Sequence, residues 1–299
     1  MRVNVAIPVY QPDKKLFTAL KRLFGQTMKP EKIYLYLTVT EKYGLEELKK
    51  DLKNSAELCG KTIVIKTLLP EEFNHGGTRQ QAAEQCDADY LLFMTQDAVP
   101  KDRQLIKNLV NAFEEEKENG IQLAVAFGRQ LANKNAMLCE QFSRIFNYPV
   151  WSRVKTAEDL KSGSVKSIFC SDVCAMYDMK IFDKLGGFER NVDFNEDMLY
   201  AYKALSNDYA VKYAADALVY HSHNLSFREQ FWRNFEIAKS QKQHPEVFKK
   251  LKSEGEGLNY VKEGLGYISE NGNVFEAIHF VFYCGVRYMG FLCGKFFGK

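Results

Sequence analysis

The chain predicts an α/β fold, a mostly parallel sheet flanked by helices and followed by a helical C-terminal extension. Short, near-continuous apolar runs alternate with amphipathic stretches from Val3 to Phe127, the signature of a parallel sheet covered on both faces. The apolar fraction of 46% and charged fraction of 26% are ordinary globular usage, which excludes a disordered, collagenous or coiled-coil chain. From Ser226 onward the pattern turns helix-rich, aromatic and mildly basic.

Val3–Val9 is a β-branched stretch closed by Pro8 and Pro12, and reads as the first strand rather than as a signal peptide. Lys14–Phe24 places Leu16, Ala19, Leu20 and Leu23 at helical spacing. Ile33–Val39 follows as a strand, Leu45–Leu58 as a helix and Ile63–Leu68 as a strand. Ala82 and Ala83 lie in a short third helix, and Tyr90–Met94 makes a fourth strand. Leu105–Phe113 is helical and Leu123–Phe127 is a fifth strand. The pattern loosens after Gly128, and strand signals return at Ile168–Tyr177 and Val211–Tyr213. No repeat of 20–50 residues and no low-complexity tract occurs. The expected division is residues 1–225 as one domain, with halves 1–128 and 129–225, and 226–299 as the extension.

Forty-one basic and 38 acidic side chains leave a net charge of +3, too little to hold a polyanion, so nucleic acid is not an expected partner. The seven cysteines (Cys59, Cys86, Cys139, Cys170, Cys174, Cys284, Cys293) form no Cys-x-x-Cys pair. That favours reduced thiols in a cytoplasmic protein over disulfides or structural zinc.

The most apolar segment is Val274–Phe297, interrupted by Glu276, His279 and Arg287, which with Tyr283 form one narrow stripe. Phe275, Ile278, Phe282, Met289, Leu292 and Phe296 occupy the wide remainder. The interruptions argue against a transmembrane anchor. Two readings stay open: a helix packed on the domain, or one lying in a membrane surface with Lys295 and Lys299 at the headgroups.

Four segments can carry chemistry. Phe73-Asn74-His75-Gly76-Gly77-Thr78-Arg79-Gln80-Gln81 follows a strand and opens a helix. Thr78 and Gln81 have capping-box spacing, which places the helix start at Thr78. The glycines would admit a ligand, and free backbone N–H groups with Arg79 would meet a phosphate. The plain alternative is a tight turn with a solvent-facing arginine. Asp97 stands at the carboxyl end of an apolar strand, where open α/β sheets bind ligands and where a carboxylate can hold a cation. A turn or N-cap aspartate before Pro100 is the plain alternative.

Glu196 and Asp197 open a helix with an apolar face at Leu199, Tyr202 and Leu205. A helix N-terminus keeps such a carboxylate ionised and ready to accept a proton, although simple charge complementarity explains the pair equally well. His221 and His223 are two apart, so on an extended segment they share a face and one or both can ligate a cation. An ordinary histidine pair without a metal competes with that reading.

In this order and spacing the segments resemble an inverting nucleotide-sugar glycosyltransferase of family two, with a GT-A fold, and within it the bacterial rhamnosyltransferases. The likeness spans residues 3–225 and extends to Arg287-Tyr288-Met289-Gly290 in the tail. It implies that Pro8 and Tyr10 line a base pocket, and that Asn74, Gly76, Arg79 and Gln96 lie about the nucleotide sugar. It also implies that Asp97 is the last carboxylate of an Asp-x-Asp motif holding Mg²⁺ or Mn²⁺, and that His221 is a second ligand. Asp197, preceded by Glu196, matches the catalytic base.

Two positions depart from the family pattern. Thr95 stands where the first aspartate of the metal motif belongs, and Thr38-Val39-Thr40-Glu41 lacks the acidic residue usually found after the second strand, with Glu41 as a substitute.

The implied donor is thymidine-diphospho-L-rhamnose. The implied acceptor is a lipid-linked glycan, reached from the cytoplasm or from the inner face of the cell membrane. Alternatives are a uridine-diphosphate-sugar transferase and a non-catalytic sugar-nucleotide-binding subunit. A nucleotidyltransferase would need a Gly-rich, Lys-bearing loop near the first strand, which is missing.

Overall fold

A computed structural model describes residues 1–58, 60, 62–251 and 254–298; Cys59 and Lys299 lie outside the described residues. The elements run β1 (Val3–Tyr10), α1 (Lys14–Phe24), β2 (Lys32–Thr38), α2 (Leu45–Asn54), β3 (Ile63–Leu68) and α3 (His75–Glu84). Next come β4 (Tyr90–Met94), β5 (Val99–Pro100), α4 (Leu105–Glu118), β6 (Leu123–Leu131), α5 (Leu138–Asn147) and β7 (Arg153–Lys155). After these follow α6 (Ala157–Leu160), β8 (Cys174–Asp178), α7 (Met179–Lys184), α8 (Glu196–Ser206) and β9 (Ala210–Tyr220). The chain closes with α9 (Phe227–Gln243), α10 (Pro245–Phe248), α11 (Glu254–Asn271) and α12 (Val274–Phe297).

The strands form one sheet in the order β3-β2-β1-β4-β8-β6-β9-β5, with β7 also on β9. β3, β2, β1 and β4 run parallel, and β8 lies antiparallel between β4 and β6. Alternation along the strands supplies two cores. Val5 and Ile7 of β1 pack with Leu16 and Leu20 of α1 on one face, while Phe93, Phe127, Tyr177 and Tyr200 pack on the other. Both faces are dry, which is why the strands read as unbroken apolar runs.

Several expected boundaries move. The stretch expected as strand Ile168–Tyr177 begins as a 3₁₀ turn, Val165–Ile168, and pairs only from Cys174. Residues 169–173 are thereby left to carry polar groups into the interior. The helix expected to reach Leu58 ends at Asn54 before a short 3₁₀ turn, and that expected to end at Phe113 runs on to Glu118. The break expected at 128/129 falls inside β6, so the two halves share a strand.

α12 lies along α9. A Cβ at Gly290 would sit 2.3 Å from the Phe231 carbonyl oxygen and one at Gly294 would sit 2.2 Å from that of Phe235, so only glycine allows the approach. Phe280 and Tyr283 are buried against Phe142 and Ile268. Arg287 donates to the Tyr260 and Tyr283 hydroxyls, placing this part of the polar stripe against protein. The opposite side stays uncovered, with Phe275 77% and Phe296 73% exposed. The packed-helix reading holds for the buried face, and the outer face is left uncovered. By length and composition alone, α12 is also apolar enough to cross a membrane.

Candidate active site and metal centre

The sheet topology reverses between β1 and β4, and ligands of open α/β sheets bind beyond the carboxyl ends of strands at such a point. Asp97 follows β4 in a tight turn closed by the Ala98 amide on the Thr95 carbonyl (3.1 Å). The two-residue strand β5 then pairs Val99 with Tyr220 of β9. That pairing carries Asp97, two residues before Val99, alongside His221, one residue after Tyr220.

His221 Nε2 lies 3.6 Å from Asp97 Oδ1, His223 Nε2 lies 3.4 Å from Asp97 Oδ2, and the two imidazole nitrogens are 3.0 Å apart. The Gln130 carboxamide donates to Tyr148 and Ser171, which turns its oxygen toward His221 Nδ1 at 2.8 Å. This network assigns the proton to Nδ1 and frees the Nε2 lone pair for a metal. Burial and then Arg144 hold His221 well below the usual histidine range, and burial lowers His223 as well, which favours the neutral, ligating form of both.

The spacing fits one ion. First-row metal–ligand bonds of about 2.0–2.2 Å give edges of about 3.0–3.6 Å between neighbouring donors. The mixed set of two imidazoles and a carboxylate also suits a borderline first-row cation better than Mg²⁺, which prefers oxygen alone.

A second cluster forms at the start of α8. Asn195 adopts a left-handed conformation (φ 68°), which asparagine tolerates, and turns the chain into the helix. Asp197 accepts from its neighbour Met198 (2.7 Å) and from the Asp172 amide (3.2 Å). Arg79 donates to Glu196 at 2.7 Å and pairs with Asp172 at 3.2 Å, and both Arg79 and Asp172 are buried. Tyr177 donates to Asp172 at 2.6 Å.

Three carboxylates thus surround one guanidinium. Burial, joined at Asp197 by the like charge of Glu196, pushes Asp172, Glu196 and Asp197 each up to about 7. The expectation of a fully ionised Asp197 is corrected accordingly: enclosure and a like charge outweigh the helix terminus.

The Asn74–Gln81 segment also differs from expectation. Asn74, not Thr78, caps α3, its side chain accepting from the Gly77 amide at 2.6 Å. The Gly76 amide donates to the Val192 carbonyl (2.8 Å), and a Cβ on Gly76 would lie 2.1 Å from the Glu189 oxygen. The glycines admit the 189–192 loop rather than a ligand, and the helix offers no open anion cradle. Arg79 is spent on Glu196 and Asp172 rather than held out to a phosphate. Tyr10 and Gln96 bracket the switch point, each donating to the other at 2.9 Å, and Tyr10 is 55% exposed. Pro8 lies within β1.

The metal-ligand triad and the carboxylate cluster line a single cavity of about 920 Å³, closed along one side by Arg228, Trp232 and Arg233 of α9. Of the expected site residues, Arg79, Asp97, Glu196, Asp197 and His221 meet there; Pro8, Tyr10, Asn74, Gly76 and Gln96 are not among its lining. Sequence reasoning missed Asp172, whose signal is a polar Ser171-Asp172 pair inside an otherwise apolar run. It also missed the α9 side chains, because α9 was assigned to an appendage.

A family model described as glycosyl transferase family 2 matches residues 4–186. The O-antigen chain rhamnosyltransferase RfbN of Salmonella typhimurium is 32% identical, over 99% of this chain and 90% of that protein. WbaN of Salmonella anatum, also described as an O-antigen chain rhamnosyltransferase, is 30% identical, over 82% and 76% respectively.

Two solved structures share the fold at 12% identity. One is a mannosyltransferase from Pyrobaculum calidifontis in complex with GDP-Man and Mn²⁺ (TM-score 0.61, covering 98% of this chain and 85% of that one). The other is residues 1–349 of S. aureus TarS in complex with UDP-GlcNAc (TM-score 0.57, covering 99% and 90%).

Proposed function

The chain belongs to glycosyl transferase family 2, with its GT-A fold, and we propose that it is an inverting transferase moving L-rhamnose from thymidine-diphospho-L-rhamnose onto a lipid-linked polysaccharide acceptor. One observation carries the catalytic part of this reading: a carboxylate able to take a proton and a three-residue cation site, delivered by different elements, face one cavity. A non-catalytic subunit has no need of both. The rhamnose donor is supported by the two rhamnosyltransferase relatives.

Asp197 accepts the proton of an acceptor hydroxyl while that oxygen bonds to the anomeric carbon. The bond from that carbon to the donor diphosphate breaks on the opposite face, its electron pair leaving with the nucleoside diphosphate. One displacement inverts the anomeric configuration. Asp97, His221 and His223 would hold a divalent cation, Mn²⁺ in preference to Mg²⁺, which supplies neutralisation of the departing diphosphate. Glu196 and Asp172 hold Arg79, and the three set the charge around the base.

Pro8, Tyr10 and Gln96 flank the donor base at the ends of β1 and β4. Asn74 and Gly76 contribute by seating α3 on the 189–192 loop. Residues 1–225 then serve as the transferase domain, to which α9 of the 226–299 extension adds a wall of the cavity. The exposed face of α12 would rest on the cytoplasmic surface of the cell membrane, where a lipid-linked acceptor resides.

Thermal shift and donor consumption across a panel of nucleotide sugars with Mn²⁺ test the assignment. Thymidine-diphospho-rhamnose is expected to give the largest shift and to be consumed. Preference for a uridine-diphosphate hexose would replace the donor, and consumption of none would overturn the enzymatic reading.

A further inference from the structure

Carboxylates reach the cavity from the 172 loop and from α8, whereas α9 contributes guanidiniums. Arg228 and Arg233 both line the cavity, both are exposed to it, and among the described residues neither makes an ion pair. Glu229, between them in the lining, is occupied by its own capping box with Ser226. Arg144, Glu140 and Arg287 act on Arg233 electrostatically, in that order. Glu140 is already taken by Arg144 at 3.1 Å and by the Tyr283 hydroxyl at 2.8 Å. Arg144 Nε is buried without a hydrogen-bond partner, and Arg287 donates to the Tyr260 and Tyr283 hydroxyls and lies over both rings.

Among the described residues Arg228 and Arg233 thus reach the cavity uncommitted to any carboxylate, and are free to meet an anionic ligand. Arg233 lines the same cavity as Asp97, His221 and His223, which places it on a wall shared with the cation site.

We propose that Arg228 and Arg233 form a diphosphate-binding wall, taking the phosphate oxygens that Arg79, locked between Glu196 and Asp172, does not reach. The guanidinium fork matches phosphate geometry and stays charged at any working pH. Trp232 stands between the two in sequence, 51% exposed, and offers a ring beside them. This assignment rests on the glycosyltransferase reading for the choice of diphosphate. That group arrives from either of two sources, the departing nucleotide or the lipid carrier of the acceptor.

Calorimetric titration of the full chain with Mn²⁺ present separates the sources. Thymidine and uridine diphosphates probe the departing nucleotide, and geranyl diphosphate probes the lipid carrier. Arg233→Gln is expected to weaken binding in at least one arm by about 10- to 100-fold, the worth of a charge-assisted hydrogen bond. Arg233→Lys should restore part of it, and Arg103→Gln, in the β5–α4 loop outside the cavity lining, should change nothing. Loss confined to the nucleotides assigns the wall to the departing group. Loss confined to geranyl diphosphate assigns it to the acceptor, and loss in both assigns one shared site. Undiminished binding of all three probes by an Arg228→Gln/Arg233→Gln double variant would overturn the proposal, as would wild-type protein that binds none. Because only binding is read, a wrong donor sugar shows up in the donor panel and leaves this result interpretable.

Discussion

Asp197 owes its proton affinity to its neighbours. Enclosure and Glu196 hold it up to about 7, so the base is fully ionised only above neutrality. Transfer should therefore rise with pH through about 7 and level off above it. Glu196→Gln removes the like charge and leaves Arg79 nearer in effect to Asp197, so the acid limb of the pH–rate profile should move to lower pH. Asp197→Asn should cost about 10²–10⁴-fold in transfer while donor binding stays nearly intact; full activity in that variant would remove Asp197 from the reaction. Asp97, Glu196, Asp197 and His221 were legible because each sits at an element end beside a recognisable segment. Asp172 was not, since its meaning arises only when β8 brings it against Arg79, more than ninety positions away in sequence. Arg79 was legible as important and misread in kind: a positive charge at a helix start looks like an anion receptor until its carboxylate partners are placed.

The strands and helices of the first half were readable because both sheet faces are buried, and the long apolar runs mark each strand. Where polar groups enter the interior, at residues 169–173, periodicity failed and one strand was drawn twice its length. The start of α3 was misplaced because a serviceable capping pair, Thr78 and Gln81, lies one turn inside the true cap at Asn74. In the tail, the Gly290 and Gly294 contacts are invisible to hydropathy yet set the α9–α12 distance. Gly294→Val should drive α12 off α9, destabilising the fold by the roughly 1–3 kcal/mol typical of overpacking and so lowering the melting temperature; an unchanged melting temperature would show that the contact is slack. On the outer face, replacing Phe275, Phe282 and Met289 by serine leaves that packing alone, all three being more than half exposed. Flotation with anionic liposomes should recover less of this variant than of wild type, and equal recovery would separate α12 from any membrane role.

Across the whole molecule, one sheet ties residues 1–128 to residues 129–225, with β6 crossing the boundary and β9 paired to both β5 and β6. A division at 128/129 looked natural from the loosening pattern, but that position falls inside β6. The cation site hangs on the thinnest join in that sheet, the two-residue strand β5 held to the end of β9 and extended by the Lys101 amide on the Leu218 carbonyl (2.9 Å). Any ion bound by Asp97, His221 and His223 therefore acts as a rivet across a seam that would otherwise fray, since whatever binds the closed seam alone must stabilise it in proportion to occupancy. Amide exchange at Val99, Lys101 and His221 should slow when Mn²⁺ is added and recover on chelation, while the β1–β2 amides stay indifferent. With an ion bound there, the same seam would make metal supply a governor of order at this edge: starved of the ion, the protein would loosen first around Asp97, His221 and His223.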